Sequence, residues 1–245
     1  MQNVIETAKT SKARALLLRD RVPPDFEAAL RLLREAEHSL RSELAIERAE
    51  RGSKGLAEKF EEDLALQLTH IQGSTGGVFR RQGISTRTAV ERTELLRESV
   101  RAYDAGYKIE QEYRAKKDSY TLVQRLVGRV MLDPSAPVVE NLRVSAALVS
   151  ALAHLREQTK KGGVREKDEY AFSDLSLVSL LLGQDDWLTE LKRFIAIENA
   201  THAINATREV LRDLRMLAGD SLPASADLIA RLDAALDLFP VQPTA

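Results

Sequence analysis

No cysteine occurs among the 245 residues. That excludes disulfides, thiolate metal sites and a cysteine nucleophile, and it suits a reducing compartment. Proline and glycine are scarce, 7 and 12 respectively, whereas all-β folds need many turn residues. Neither sign of charge dominates: 36 Lys and Arg face 37 Asp and Glu, for a net charge of −1. No basic field therefore favours nucleic acid or an anionic membrane as a partner. The longest apolar stretch, around Leu175 to Leu182, falls far short of the ~20 residues that span a bilayer. The opening MQNVIETAKTSKARALLLRD has no apolar core of signal-peptide length, so a cytoplasmic location is expected.

What the chain does contain points to helices. Hydrophobic residues make up 44% of it, too many for disorder. Ala, Leu, Glu, Lys and Arg together account for about half of all positions, the proportion of long or repeated helices. Breakers separate the helical segments. A first helix, about 4 to 21, runs into Val22, Pro23 and Pro24, and Asp25 is placed to cap the next. In that second helix Leu30, Leu33, Ala36, Leu40 and Leu44 recur at helical spacing, and Gly52 and Gly55 mark its end. A third segment, about 56 to 82, is interrupted by Gly73, Gly76 and Gly77. The fourth runs from Thr88 to Tyr113, and Asp118 or Ser119 caps a short helix, YTLVQRLVGRVML. Segments follow at 138 to 159 and 170 to 182, the latter the most apolar and ended by Gly183. The gap-free stretch 185 to 218 is one helix or two joined near Asn199. Leu228, Leu232, Ala235 and Phe239 then line one face of a terminal capping helix. Leu122, Leu126, Leu177 and Leu181 lie on helices apolar on several sides, so they are expected to be buried. The loop KKGGVREKDE reads as flexible and solvated.

This pattern predicts an all-α fold: a single repeat domain, 1–245, of antiparallel helical hairpins stacked as an irregular tetratricopeptide-like solenoid. Its pairs would span about 4–50, 56–113, 118–159 and 170–218, with a cap at 223–239. Three stretches add a resemblance. GGVFRRQG at 76–83, YDAGYKIEQEY at 103–113 with DSYTLVQRLVGR at 118–129, and YAFSDLSLVSLLLGQDDW at 170–187 resemble a divergent tetratricopeptide-like family. It is similar to the TRAF-binding-type region of mitogen-activated kinase kinase kinases and its bacterial relatives. The resemblance covers roughly residues 60 to 220 and implies a helical scaffold in signalling, often beside an effector domain. No kinase, TIR or protease segment accompanies these helices, so the expected partner is a separately encoded protein.

Catalytic and cofactor signatures are incomplete. Carboxylate-bridged metal bundles need two Glu-x-x-His pairs, and Glu35 with His38 makes one. Glu198 and His202, one turn apart, read as a local helix contact. GSTGG at 73–77 lacks the Lys-Ser/Thr and the preceding strand of a phosphate loop, and reads as close helix packing or a helix break. No Gly-x-Ser-x-Gly elbow occurs. The expectation is a non-enzyme with no cofactor, no metal and no catalytic residue. The candidate partner-binding residues are Arg80, Arg81, Arg125 and Arg129 with Tyr103, Tyr107 and Tyr120. Two alternatives stand beside that reading. These arginines, interleaved with Glu91, Glu94, Glu98, Asp104 and Asp118, would form a salt-bridged surface, or they would line a basic groove sensing a nucleotide or other anion. Trp187, at a helix start, reads as packing.

Overall fold

In the computed structural model, residues 2–54, 58–113, 120–134, 142–220 and 226–239 are described. They form ten helices: α1 (Gln2–Asp20), α2 (Phe26–Lys54), α3 (Glu58–Ser85), α4 (Ala89–Tyr113), α5 (Tyr120–Leu132), α6 (Leu142–Thr159), α7 (Glu169–Leu182), α8 (Trp187–Ile195), α9 (Thr201–Gly219) and α10 (Ala226–Leu236). The described residues contain no strand, and no helix among them is long and apolar enough to cross a membrane. The chain divides into two compact units, 1–128 and 129–245, with the division inside α5.

In the first unit, Asp25 caps α2 as its position suggests: its carboxylate accepts the Ala28 N–H at 3.0 Å, satisfying one of the free donors of a helix start. Ala29, Leu33 and Leu40 have no exposed surface, and they pack with Ala8 and Ala15 of α1 and Leu64, Leu68 and Ile71 of α3 in one core. Helix α3 packs against both α1 and α2, and α4 packs against α3. Helix α5 then meets both α3 and α4: Tyr120 lies on Gly73, Thr121 on Gly106 and Val100 against Gly128.

The glycines of α3 do not interrupt it. The helix is continuous through Gly73, Gly76 and Gly77, because each is a place where a neighbouring group approaches. A Cβ at Gly73 would stand 2.8 Å from the Tyr120 ring, and one at Gly76 would stand 2.8 Å from the Tyr103 ring. Of the two readings of GSTGG, close packing is the one the structure supports. Gly52 likewise lies within α2, whereas Gly55, Asp118 and Ser119 fall outside the described residues.

The second unit is organised around α7. Every residue from Ala171 to Leu181 is buried, as expected of a helix apolar on all sides. The segment before it is not a loose loop. Arg165 N–H donates to the Gln158 carbonyl at 2.9 Å and Gly163 N–H to Lys160 at 2.8 Å, and the Arg165 guanidinium holds Asp168 at 2.7 Å. Asp168 in turn caps α7, accepting the N–H groups of Tyr170 and Ala171 at 3.0 and 3.2 Å. Gly183 ends the helix in the left-handed region at φ 62°, which suits glycine. The stretch 185–218 is two helices, α8 and α9, separated at Ala196–Ala200, and Asn199 itself has φ 64°. Helix α9 packs on α7, with Ser173 and Thr207 hydroxyls 2.6 Å apart. Helix α10 packs on α9 and α7 with Leu228, Leu232, Ala235 and Phe239 buried. Leu126, Leu177 and Leu181 are buried. Leu122 is only half-buried, because α5 turns that side outward.

Candidate functional site

The tyrosines and arginines singled out by the sequence converge on the α3, α4 and α5 faces of the first unit, with one exception. Tyr103 is 1% exposed and meets Tyr120 edge to face, with centroids 6.1 Å apart, a favoured aromatic geometry. Both rings sit where glycine leaves α3 without a side chain, and Ser99 Oγ donates to the Gly76 carbonyl at 2.8 Å beside them. Arg80 is 8% exposed, and its Nη1 donates to Gln124 Oε1 at 3.2 Å. Arg125 pairs with Asp104 at 2.8 Å and lies 4.4 Å above the Tyr107 ring, a cation–π stack. Burial pushes the Asp104 carboxyl up, but hydrogen bonds from Lys108 and Arg125 outweigh it and hold the group below its ordinary value. Arg81 shares Asp20 with Arg19: Arg81 Nη1 is 2.7 Å from Asp20 Oδ1, and Arg19 grips the same carboxylate through two bonds of 2.7 and 2.8 Å. Arg129 is the exception, exposed and in the second unit.

At the opposite end of the first unit a second polar cluster joins α2, α3 and α4. Arg48 donates to Glu61 at 3.3 Å and Glu112 at 2.7 Å and stacks over Tyr113 at 4.6 Å. Its hydrogen bond holds the Glu112 carboxyl below the ordinary range.

Helix α1 contributes residues that the sequence reading passed over. Because α2 runs antiparallel to α1 and to α3 across its two connections, α1 and α3 run parallel. Their register is set by Arg19, whose Nη1 would lie 3.6 Å from a Cβ at Gly77, and by the Asp20–Arg81 pair. Seven residues earlier on each helix stand Lys12 and His70. Ser74 lies one turn beyond His70 on the same side of α3. All three are half-buried. Burial, and then repulsion from Lys9, holds the Lys12 ammonium below the ordinary lysine value. A signal for it exists in the sequence: Ala8, Lys12, Ala15 and Arg19 repeat at i, i+4, i+7 and i+11, which puts two cations on the stripe that α1 buries.

His38 and His202 are exposed on α2 and α9, and His154 lies beside Gln158 at 2.9 Å on α6. Glu35 and His38 both face solvent, and among the described residues no group of three His, Asp or Glu side chains gathers as a metal site would require. The architecture defines the class of the molecule, an all-α chain of packed helical hairpins. No protein-family model, curated protein or solved structure matches it.

Proposed function

We propose that the chain is a non-enzymatic, tetratricopeptide-like scaffold that binds a protein partner and regulates a separately encoded bacterial signalling or defence effector. One observation carries the reading. In the first unit α3 packs against both helices of the preceding hairpin, and α5 does the same to α3 and α4. Repeated addition of a helix to the hairpin before it is how helical repeats stack, and such stacks present a continuous face for a partner. The arginine and tyrosine set fits this role through packing as much as through contact. Arg80 and Tyr103 fix the hairpins against each other, Arg81 and Arg125 are half-buried in ion pairs with Asp20 and Asp104, and the exposed Arg129 is placed to meet a partner.

The test is affinity capture with the full chain, followed by chemical cross-linking of whatever protein is recovered in stoichiometric amount. Cross-links should fall on α1, α3 and α5, and Arg81→Glu or Arg129→Glu should weaken capture without loss of helicity. Recovery of no stoichiometric protein refutes the scaffold. Micromolar nucleotide binding by the purified chain would replace it with a sensor.

A further inference from the structure

Helices α9 and α10 of the second unit carry matching stripes. On α9, Arg208, Arg212, Arg215 and Gly219 recur at i, i+4, i+7 and i+11, and on α10 Ala226, Ala230, Asp233 and Asp237 repeat that spacing. Each set therefore lies along one side of its helix. Both sides are open: Arg212, Ala226, Ala230, Asp233 and Asp237 are exposed, and Arg208, Arg215 and Gly219 are half-buried. Arg215 donates to Asp233 at 2.5 Å, which joins the stripes edge to edge. Because α9 ends at Gly219 and α10 begins at Ala226, that pair makes the helices antiparallel. Arg212, three residues before Arg215, and Asp237, four beyond Asp233, are thus displaced in the same direction, by about 4.5 and 6 Å of helical rise.

The stripes hold more charge than they match. Arg208, Arg212 and Asp237 make no ion pair among the described residues, and the Arg208 Nε is buried without a hydrogen-bond partner. Neighbouring charges do not cancel them. Glu209 and Asp213 follow two of the arginines but lie about 100° round the helix and have interactions of their own. Arg231 turns away from the acidic stripe onto α7, its Nη1 2.9 Å from where a Cβ on Gly183 would stand, and Asp227 attracts it there.

We propose that this face is a contact between two copies of the chain, in which the α9 arginines of each copy lie over the α10 aspartates of the other. Charge complementarity and symmetry select the arrangement. A two-fold axis parallel to the helices sets α9 over the other copy's α10 with levels kept, so that Arg212 meets Asp237 twice. An axis across the helices would instead stack α9 on α9, arginine over arginine. Gly219, Ala226 and Ala230 have no bulk to hold the two faces apart. Helix α10 has only 11 residues, about 16 Å of helix. The contact is therefore smaller than a standard interface of about 800 Å² per partner, and the pairing is weak and reversible.

Sedimentation of the full chain over a range of concentrations tests this. A monomer–dimer equilibrium is expected, weakened by a roughly tenfold rise in ionic strength. Arg212→Glu alone and Asp237→Arg alone each set like charges opposite one another at both contacts, and each should weaken self-association about tenfold or more. An equimolar mixture of the two variants should restore it, because both contacts of the mixed dimer again join opposite charges. Lys192→Glu, on α8, should leave it unchanged. Circular dichroism checks that the variants stay helical; should a reversal cost helicity, Arg212→Gln and Asp237→Asn, which remove charge without inverting it, carry the test. A chain monomeric at every concentration in low salt, self-association indifferent to these substitutions, or a mixture no stronger than either variant overturns the proposal. The contact uses no residue of α1, α3 or α5, so failure of self-association and failure of partner capture are separate results.

Discussion

Gly76 and Gly77 are neighbours on α3, yet alanine should act on them with opposite signs. In a helix interior alanine is favoured over glycine by about 0.8–1 kcal/mol, and both positions gain this. At Gly77 the new Cβ would meet only Arg19 Nη1 at 3.6 Å and the Tyr103 hydroxyl at 3.7 Å, ordinary contacts, so Gly77→Ala should stabilise by roughly 0.5–1 kcal/mol. At Gly76 it would lie 2.8, 2.8 and 2.9 Å from three Tyr103 ring carbons. That ring has little room to retreat, since it is 1% exposed and braced edge-on by Tyr120. Overpacking of this kind costs about 1–3 kcal/mol. Helix propensity cancels between the two variants, so their difference isolates the clash. The measurement is urea unfolding followed by circular dichroism, with Trp187 emission reporting the second unit separately. Equal stability of the two variants, or a more stable Gly76→Ala, would refute the claim that glycine is there to admit the tyrosine ring.

Three further outcomes follow from the packing and the charges. Leu126→Ala should cost about 2–5 kcal/mol as a fully buried leucine, and Leu122→Ala distinctly less because its side chain is half-exposed; urea midpoints for the pair check the ordering. Asp168→Ala should cost about 1 kcal/mol, since it removes the acceptor for two N–H groups of α7 and the partner of Arg165, and thermal unfolding read by Trp187 emission would show it. Lys12→Met should stabilise the first unit at neutral pH. The folded chain releases the Lys12 proton more readily than the unfolded chain does, so wild-type stability rises with pH between the two values. The advantage of the methionine should therefore shrink as pH climbs towards the ordinary lysine value of about 10.4, and a pH-independent difference would contradict the assignment.

Helix positions were legible wherever an end is made by chemistry local to it. Pro23, Pro24 and Asp25 mark the α1–α2 turn, and Gly183 closes α7, because proline geometry, a capping carboxylate and a left-handed glycine each act within a turn of where they stand. Gly73, Gly76 and Gly77 misled for a matching reason. Their local preference favours a break, and what keeps α3 continuous is supplied by Tyr103 and Tyr120, which are remote in sequence. The KKGGVREKDE segment was misread as loose because its order comes from backbone hydrogen bonds and from Asp168 serving as both ion-pair partner and helix cap, none of which composition records.

The same division between local and remote signals explains why the arginines were visible and Lys12 was not. GGVFRRQG attracts notice because charge and glycine crowd together, yet Arg80 turns inward to Gln124 and Arg81 is matched by Asp20, 61 residues away. Crowded charge therefore says little about availability, since a folded chain tends to neutralise what it concentrates. The informative charge is the one that folding desolvates and does not match. Lys12 meets that condition while sitting in an unremarkable helix among alanines. An apolar residue there would be buried at lower cost, because no ammonium would lose its hydration. If Lys12→Met gains no stability at neutral pH, burial does not burden this ammonium and the reasoning fails.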